Sequence, residues 1–228
     1  HPMKQSTTFF TESEKAAISK AVHEAEKRTS AEIVPVLATE SGRYDRAEDI
    51  VGLLAGLLAL TVGWLTCPWM HPATTWETGS WPLPANGLGW ALLCVVVGFI
   101  VGSALASRIP ALRLPFILDP EMDADVQRAA RAAFARFGVR GTEGSTGVLI
   151  YVSLYERRVV VLPDDAIAEK ATDQTWAEVR DVLVEGLKTG NAGDGFRAAI
   201  GKCADILASE FPRAQDDRDE LTNDLHLL

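Results

Sequence analysis

Between Arg46 and Arg108 the chain contains no lysine and no arginine. Other things are also scarce. The three cysteines are Cys67, Cys94 and Cys203, and their spacing fits neither a zinc site nor a disulfide framework. They read as small apolar packing residues. The net charge is −9 and no basic stripe exists, which argues against nucleic acid as a partner. There is no phosphate-binding Gly-rich Lys motif and no Gly-x-Ser-x-Gly elbow. The histidines, His1, His23, His71 and His226, lack metal-ligand spacing. Gly193–Ala198 loosely fits a dinucleotide fingerprint but follows a helical pattern instead of the strand that motif requires. Cys203 has no companion His that would mark a nucleophile.

What the chain does have is two long uncharged stretches, Ile50–Met70 and Thr78–Ser107. Crossing about 30 Å of hydrocarbon takes roughly 20 mostly apolar residues, and both stretches suffice. The alternative is a pair of helices buried in a soluble core, but core helices in small domains rarely go so long without a charge. Trp64, Trp69, Trp76, Trp81 and Trp90 cluster near the expected tip, where aromatic belts form. The expectation is a transmembrane hairpin at 50–107, with spans near 50–70 and 88–109 and a loop at 71–87. The first apolar run begins too far along the chain for a cleaved leader. Arg43 and Arg46 precede the hairpin, Arg108 and Arg113 follow it, and the loop has no basic residue. The positive-inside rule therefore places both flanks in the cytoplasm and loop 71–87 outside, in a multi-pass protein of the cell membrane.

The remaining sequence amounts to one soluble domain. Thr11 and Glu14 form a capping box that starts a helix carrying Ile18, Val22 and Ala25. Glu32–Ala38 reads as a strand whose Pro35 marks either an edge or a locally unpaired position. After the hairpin, Asp119 and Pro120 open a helix with Met122, Val126, Ala130, Ala133 and Phe137 on one face. Thr146–Ser153 is apolar on both alternating faces, as a central strand is, and forms a hairpin with Arg158–Leu162. Three helices follow: a short one begun by Pro163-Asp164-Asp165 and running through Lys170, one near Thr175–Lys188 with Gly190 as its cap, and one ended by Pro212. The fold class is an α/β (α+β) sandwich, a small sheet covered by helices, interrupted by the hairpin. Its parts are 11–41 and 119–212, and the acidic tail 213–228 reads as a solvated end.

Asp164, Asp165 and Asp194 are the candidate metal-ligating residues. Carboxylates suit a hard cation such as Ca²⁺ or Mg²⁺. Asp164 and Asp165 sit where a strand gives way to a helix, and Asp194 also lies at a helix start. Helix capping and a favourable charge near the dipole are the simpler account of acids there. Glu32 begins the first strand, and alternation leaves open whether it faces the same region. No Arg or Lys cluster dedicated to phosphate stands out.

Thr29–Val34 with its Val-rich continuation, Thr146–Ser153 with Glu156–Val159, Trp176, the Gly190 turn and the Phe196–Leu207 helix together resemble the TPM domain family. The inserted hairpin resembles a bacterial membrane branch of it. The resemblance implies an α/β/α sandwich. It also implies a role among those of its members, some of which are acid phosphatases, some binders of divalent cations and others accessory proteins of membrane complexes. Relatives carry an Asp followed by Gly-Ile after the second hairpin strand, whereas this chain has Asp164-Asp165-Ala166-Ile167. Ala166 restricts the backbone at the implied cation site. The catalytic residues are unassigned. The expectation is a non-enzymatic protein with membrane proteins and the lipid bilayer as partners, and the alternative is a metal-dependent phosphatase.

Overall fold

The computed structural model describes residues 5–66, 85–142, 144–213 and 220–228. Most of the loop expected at 71–87, and with it Cys67, Trp69, His71, Trp76 and Trp81, lies outside the described residues. The chain divides into two compact units, one built from residues 3–42 and 120–228 and the other from 43–119.

The first unit is a sheet between helical layers. After a single turn, α1 (Ser6–Phe9), comes α2 (Glu12–Glu26), then β1 (Glu32–Ala38). The chain returns from the other unit as α5 (Asp119–Arg136), β2 (Gly147–Ser153) and β3 (Arg158–Pro163). Then follow α6 (Asp165–Ala168), α7 (Asp173–Lys188), α8 (Ala192–Glu210) and β4 (His226–Leu227). The capping box forms: the Glu14 N–H donates to Thr11 Oγ1 and the Thr11 N–H donates to Glu14 Oε2. Gly190, at φ 79°, takes the left-handed turn after α7 that a side chain disfavours.

The sheet order is β3-β2-β1-β4, with β1 parallel to β2 and β4 and β2 antiparallel to β3. Alternation divides the strands between two cores. Ile33, Leu37, Val148, Ile150 and Val152 pack with Ile18, Val22, Val179, Leu183, Phe196 and Ile200 of α2, α7 and α8. Val34, Val36, Leu149 and Tyr151 pack with Val126, Ala130 and Ala133 of α5 on the other face.

Pro35 is explained by register. The Glu32 N–H donates toward β2, to Thr146 O, and the Ile33 N–H points the other way, to Glu26 Oε1. Alternation puts the missing donor of Pro35 on the side away from β2. There β4 pairs only with Val36 and Leu37, so no ladder bond is lost. β1 is therefore an interior strand, and Pro35 marks a locally unpaired position, not an edge.

The end of the chain differs from the solvated tail expected. Leu225 is buried in the α2 side core, and Leu228 closes β4 onto β1 by donating to Leu37 O and accepting from Thr39 N–H. Edge space beside β1 and an apolar Leu225 outweigh the acidic composition.

The second unit holds α3 (Asp45–Thr66) and α4 (Ala85–Arg108). α3 begins five residues before the uncharged stretch and so carries Asp45 and Glu48 in its first turn. The helices meet through glycines. A Cβ on Gly102 would lie 2.5 Å from Ala55 Cβ, and one on Gly56 2.8 Å from the Val95 carbonyl oxygen. The Gly52/Gly56 and Gly98/Gly102 pairs thus serve contact between the two helices of one chain. At the base, Glu48 accepts from Arg113 Nη1 at 3.0 Å and Ser107 Oγ at 2.7 Å. The outer faces expose Leu53, Leu54, Leu57, Leu58, Leu92, Leu93, Val96 and Ile100.

Candidate functional site

Asp164 and Asp165 lie at the end of the sheet where β1 and β2 begin and β3 ends. The Asp164 N–H donates to Gly147 O at 2.8 Å, and Gly147 pairs with Glu32. Gly147 is required here, because a Cβ would come within 2.5 Å of the Val139 carbonyl oxygen. Beside the two acids runs an open groove of about 810 Å³, lined also by Arg131, Phe134, Gly138 and Arg140. Arg140 Nη2 donates to Asp165 Oδ2 at 3.2 Å. Both partners are largely exposed, so this pair adds at most about 1 kcal/mol. Asp164 is buried. Its Oδ1 accepts from the Asp165 N–H at 2.8 Å as the cap of α6, and its Oδ2 has no hydrogen-bond partner among the described residues.

Asp194 is elsewhere. It lines a separate small pocket with Ser13, Glu14, Gly190, Asn191 and Arg197, and it is ion-paired to Arg197. α8 runs from there to the Asp164 end, where Lys170 Nζ donates to Glu210 O at 3.4 Å and Phe211 O accepts from Ser30 N–H. Residues 194 to 210 advance about 24 Å along the helix axis. The structure thus brings Asp164 and Asp165 together and keeps Asp194 at the opposite end of the sheet. Among the described residues no group of three His, Cys, Asp or Glu side chains is disposed to hold a metal ion. Glu32 shares the sheet end with Asp164, and its Oε1 accepts the Glu220 N–H at 2.9 Å.

The other end of the sheet holds a buried polar cluster. Glu156, 2 % exposed, follows β2 in the turn to β3. Its Oε1 accepts the N–H groups of Ser41 at 2.9 Å and Gly42 at 3.2 Å, and its Oε2 accepts the Ser153 hydroxyl. Ser41 Oγ reaches Ser153 Oγ at 2.7 Å and the Tyr151 hydroxyl at 2.9 Å. Burial raises the Tyr151 phenol above its ordinary value, the bond to Ser41 opposes this, and the Glu156 charge adds to it. A carboxylate holding two successive backbone N–H groups fixes the place where the chain leaves β1.

The TPM domain family matches residues 101–206. This chain carries a TPM domain. The matched stretch begins inside α4 and contains β2 and β3, whereas β1 lies before the hairpin and β4 after the match. The fold is shared with the BA42 protein of the psychrophilic bacterium Bizionia argentinensis, solved by NMR. The TM-score is 0.57 at 22% identity, over 96% of this chain and 94% of that one. No curated protein matches the sequence.

The TPM domain offers two features that sequence reading missed. Arg131 and Arg140 bring positive charge to the groove of Asp164 and Asp165. The spacing of Arg131, Phe134, Ala135 and Gly138 at i, i+3, i+4 and i+7 was the available signal. The Glu156 cluster had only a turn Glu to announce it. The groove sets two guanidinium groups beside two carboxylates, with Arg140 bound to Asp165. Cys203 supplies no thiolate nucleophile, since burial pushes its thiol up to about 12.

Proposed function

We propose that this chain is a two-span membrane protein whose cytoplasmic TPM domain serves as an accessory or interaction module for membrane complexes. The observation that carries the reading is the exposure of α3 and α4. Only 11% and 6% of their most apolar stretches are buried, so neither is the core helix of a soluble fold. Leucines such as Leu58 and Leu65, 65% and 76% exposed, call for a lipid surround. At about 1.5 Å per residue the 22 residues from Gly87 to Arg108, charged only at the last, reach about 33 Å, enough for the hydrocarbon layer. The basic flanks and the absence of Lys and Arg from residues 47–107 support cytoplasmic termini.

The non-enzymatic part rests on acids that serve local structure: Glu14 and Asp164 cap helices, and Glu156 holds the exit of β1. A metal-dependent phosphatase built on Asp164, Asp165 and Asp194 together has less support, because Asp194 stands a helix length from the others. Two measurements test the proposal. Topology reporters fused at Asn86 and Leu228 should report opposite sides, and a cytoplasmic signal at Asn86 sinks the orientation. Purification in mild detergent should recover a stable membrane-protein partner, and repeated recovery of the chain alone counts against the accessory role.

A further inference from the structure

We propose that residues 109–118 form an interfacial foot that lies in the lipid headgroup layer where α4 ends, an inference that rests on reading α3 and α4 as membrane spans. The segment is continuous with α4: the Ile109 N–H donates to Leu105 O at 2.8 Å. Pro110 and Pro115 then break the helix into two tight 3-10 turns, Pro110–Leu112 and Leu114–Phe116. Four of its apolar side chains point outward, while Ile117 is buried. Ile109, Leu112, Leu114 and Leu118 are 45%, 40%, 39% and 62% exposed.

Neither water nor the hydrocarbon core suits this segment. In water it would leave four large apolar side chains exposed within ten residues. In hydrocarbon its broken backbone would lack the internal hydrogen bonds that a spanning segment needs. The interface meets both demands, because apolar side chains reach about 5–10 Å below the headgroups while the backbone stays wet. The one charged residue of the segment, Arg113, is 6% exposed and bound to Glu48, so it does not interrupt the apolar surface. Asp119 returns the chain to water. Near the helix bases Arg43, Arg46 and Arg108 are balanced by Asp45, Asp49 and Asp119. The contact therefore depends on apolar burial and not on anionic lipid.

The test uses the full chain reconstituted in phosphatidylcholine vesicles, with Cys67→Ala and Cys94→Ala removing reactive thiols. Single cysteines at L57C, L112C, L118C and D181C carry an environment-sensitive fluorophore, and brominated lipids report depth. All four positions are exposed in their own units, so labelling leaves the packing there unchanged. The probes at 112 and 118 should emit to the blue of the probe at 181. They should be quenched most by bromines near the headgroup, and the probe at 57 by bromines near the acyl centre. The same pattern should hold with phosphatidylglycerol added. Water-like emission at 112 and 118 with a deep probe at 57 overturns the foot and leaves the spans standing. Quenching at 112 and 118 as deep as at 57, or found only with phosphatidylglycerol, also overturns it. A water-like probe at 57 overturns both readings.

Discussion

Replacing Glu156 with alanine should open the exit of β1. The carboxylate is buried and accepts the Ser41 and Gly42 N–H groups and the Ser153 hydroxyl. Leaving a buried donor unsatisfied costs about 1–3 kcal/mol. Ser41 and Gly42 are only half-buried, so water enters and the low end applies to each. The Ser153 hydroxyl keeps Ser41 Oγ as a partner, which leaves a net loss of about 2–3 kcal/mol. At about 1.4 kcal/mol per tenfold, the open population rises roughly 30- to 150-fold. Arg43, whose side chain is 90% exposed, is a trypsin site one residue beyond the held segment. Where opening is fast relative to cutting, the cleavage rate follows that population. Limited trypsinolysis in detergent, with the cut at Arg43 read by mass spectrometry, should show the increase. Glu156→Gln keeps an acceptor oxygen without the charge and should fall between. If Glu156→Ala lowers the urea midpoint yet leaves cleavage at Arg43 unchanged, the side chain contributes to general stability and does not hold the exit.

Four further outcomes follow from particular contacts. Gly102→Leu should lower the detergent melting temperature of the hairpin by a core-overpacking cost of about 1–3 kcal/mol, since its Cβ meets Ala55 Cβ at 2.5 Å. Gly89→Leu, with nothing within 4 Å, should not, and circular dichroism checks both. Asp164→Ala should cost about 1 kcal/mol in urea unfolding through loss of the α6 cap, whereas Asp164→Asn should cost little. Cys203 should react with a thiol reagent only after unfolding, with stopped-flow absorbance as the readout, because burial pushes its thiol up to about 12. Burial holds His226 below its ordinary 6.5, with Asp224 opposing and Arg136 assisting. The folded state then favours the neutral ring stacked 4.0 Å from Phe137. Its stabilisation is complete above about 6.5 and declines as pH falls through that value. Urea midpoints measured on either side should show the decline, and His226→Phe should remove it.

The parts of the fold with strong periodicity were legible. Glu32–Ala38, Gly147–Ser153 and the α5 face needed only alternation or helical spacing, and each occupies the predicted element. Thr11, Glu14 and Gly190 announced helix ends by local chemistry, which acts over three or four residues and so needs no tertiary information. β4 was not legible. Two residues after an acidic run give no periodic signal, and their strand form is imposed by the free side of β1. The placement of the acids failed for the same physical reason. A helix start predicts an Asp whether or not a second Asp lies nearby, and only the direction of α8 separates Asp194 from Asp164. Arg131 and Arg140 were hidden because nine residues and a turn separate them in sequence, while the groove brings them to the same acids.

Sheet topology constrains the hairpin more tightly than composition does. β1 and β2 are parallel neighbours over seven residue pairs, from Glu32 with Gly147 to Ala38 with Ser153. A parallel pair needs a crossover, usually a helix of a dozen or so residues. Here the crossover contains α3, α4 and α5. A strand pair cannot be shared across a bilayer, so any membrane crossings between Ala38 and Gly147 must be even in number. Two spans satisfy this, and one does not. The same reasoning forbids a variant in which α4 alone inserts, because β1 would then be stranded opposite its partner and the interior of the sheet would lose a strand. Shortening α4 below spanning length should therefore destabilise the TPM domain itself, not merely its attachment, since the cost falls on the β1–β2 ladder. Hydrogen exchange at Val34, Val36 and Leu149 reads that ladder directly. Undiminished protection there, in a chain whose α4 no longer spans while α3 still does, would contradict the coupling.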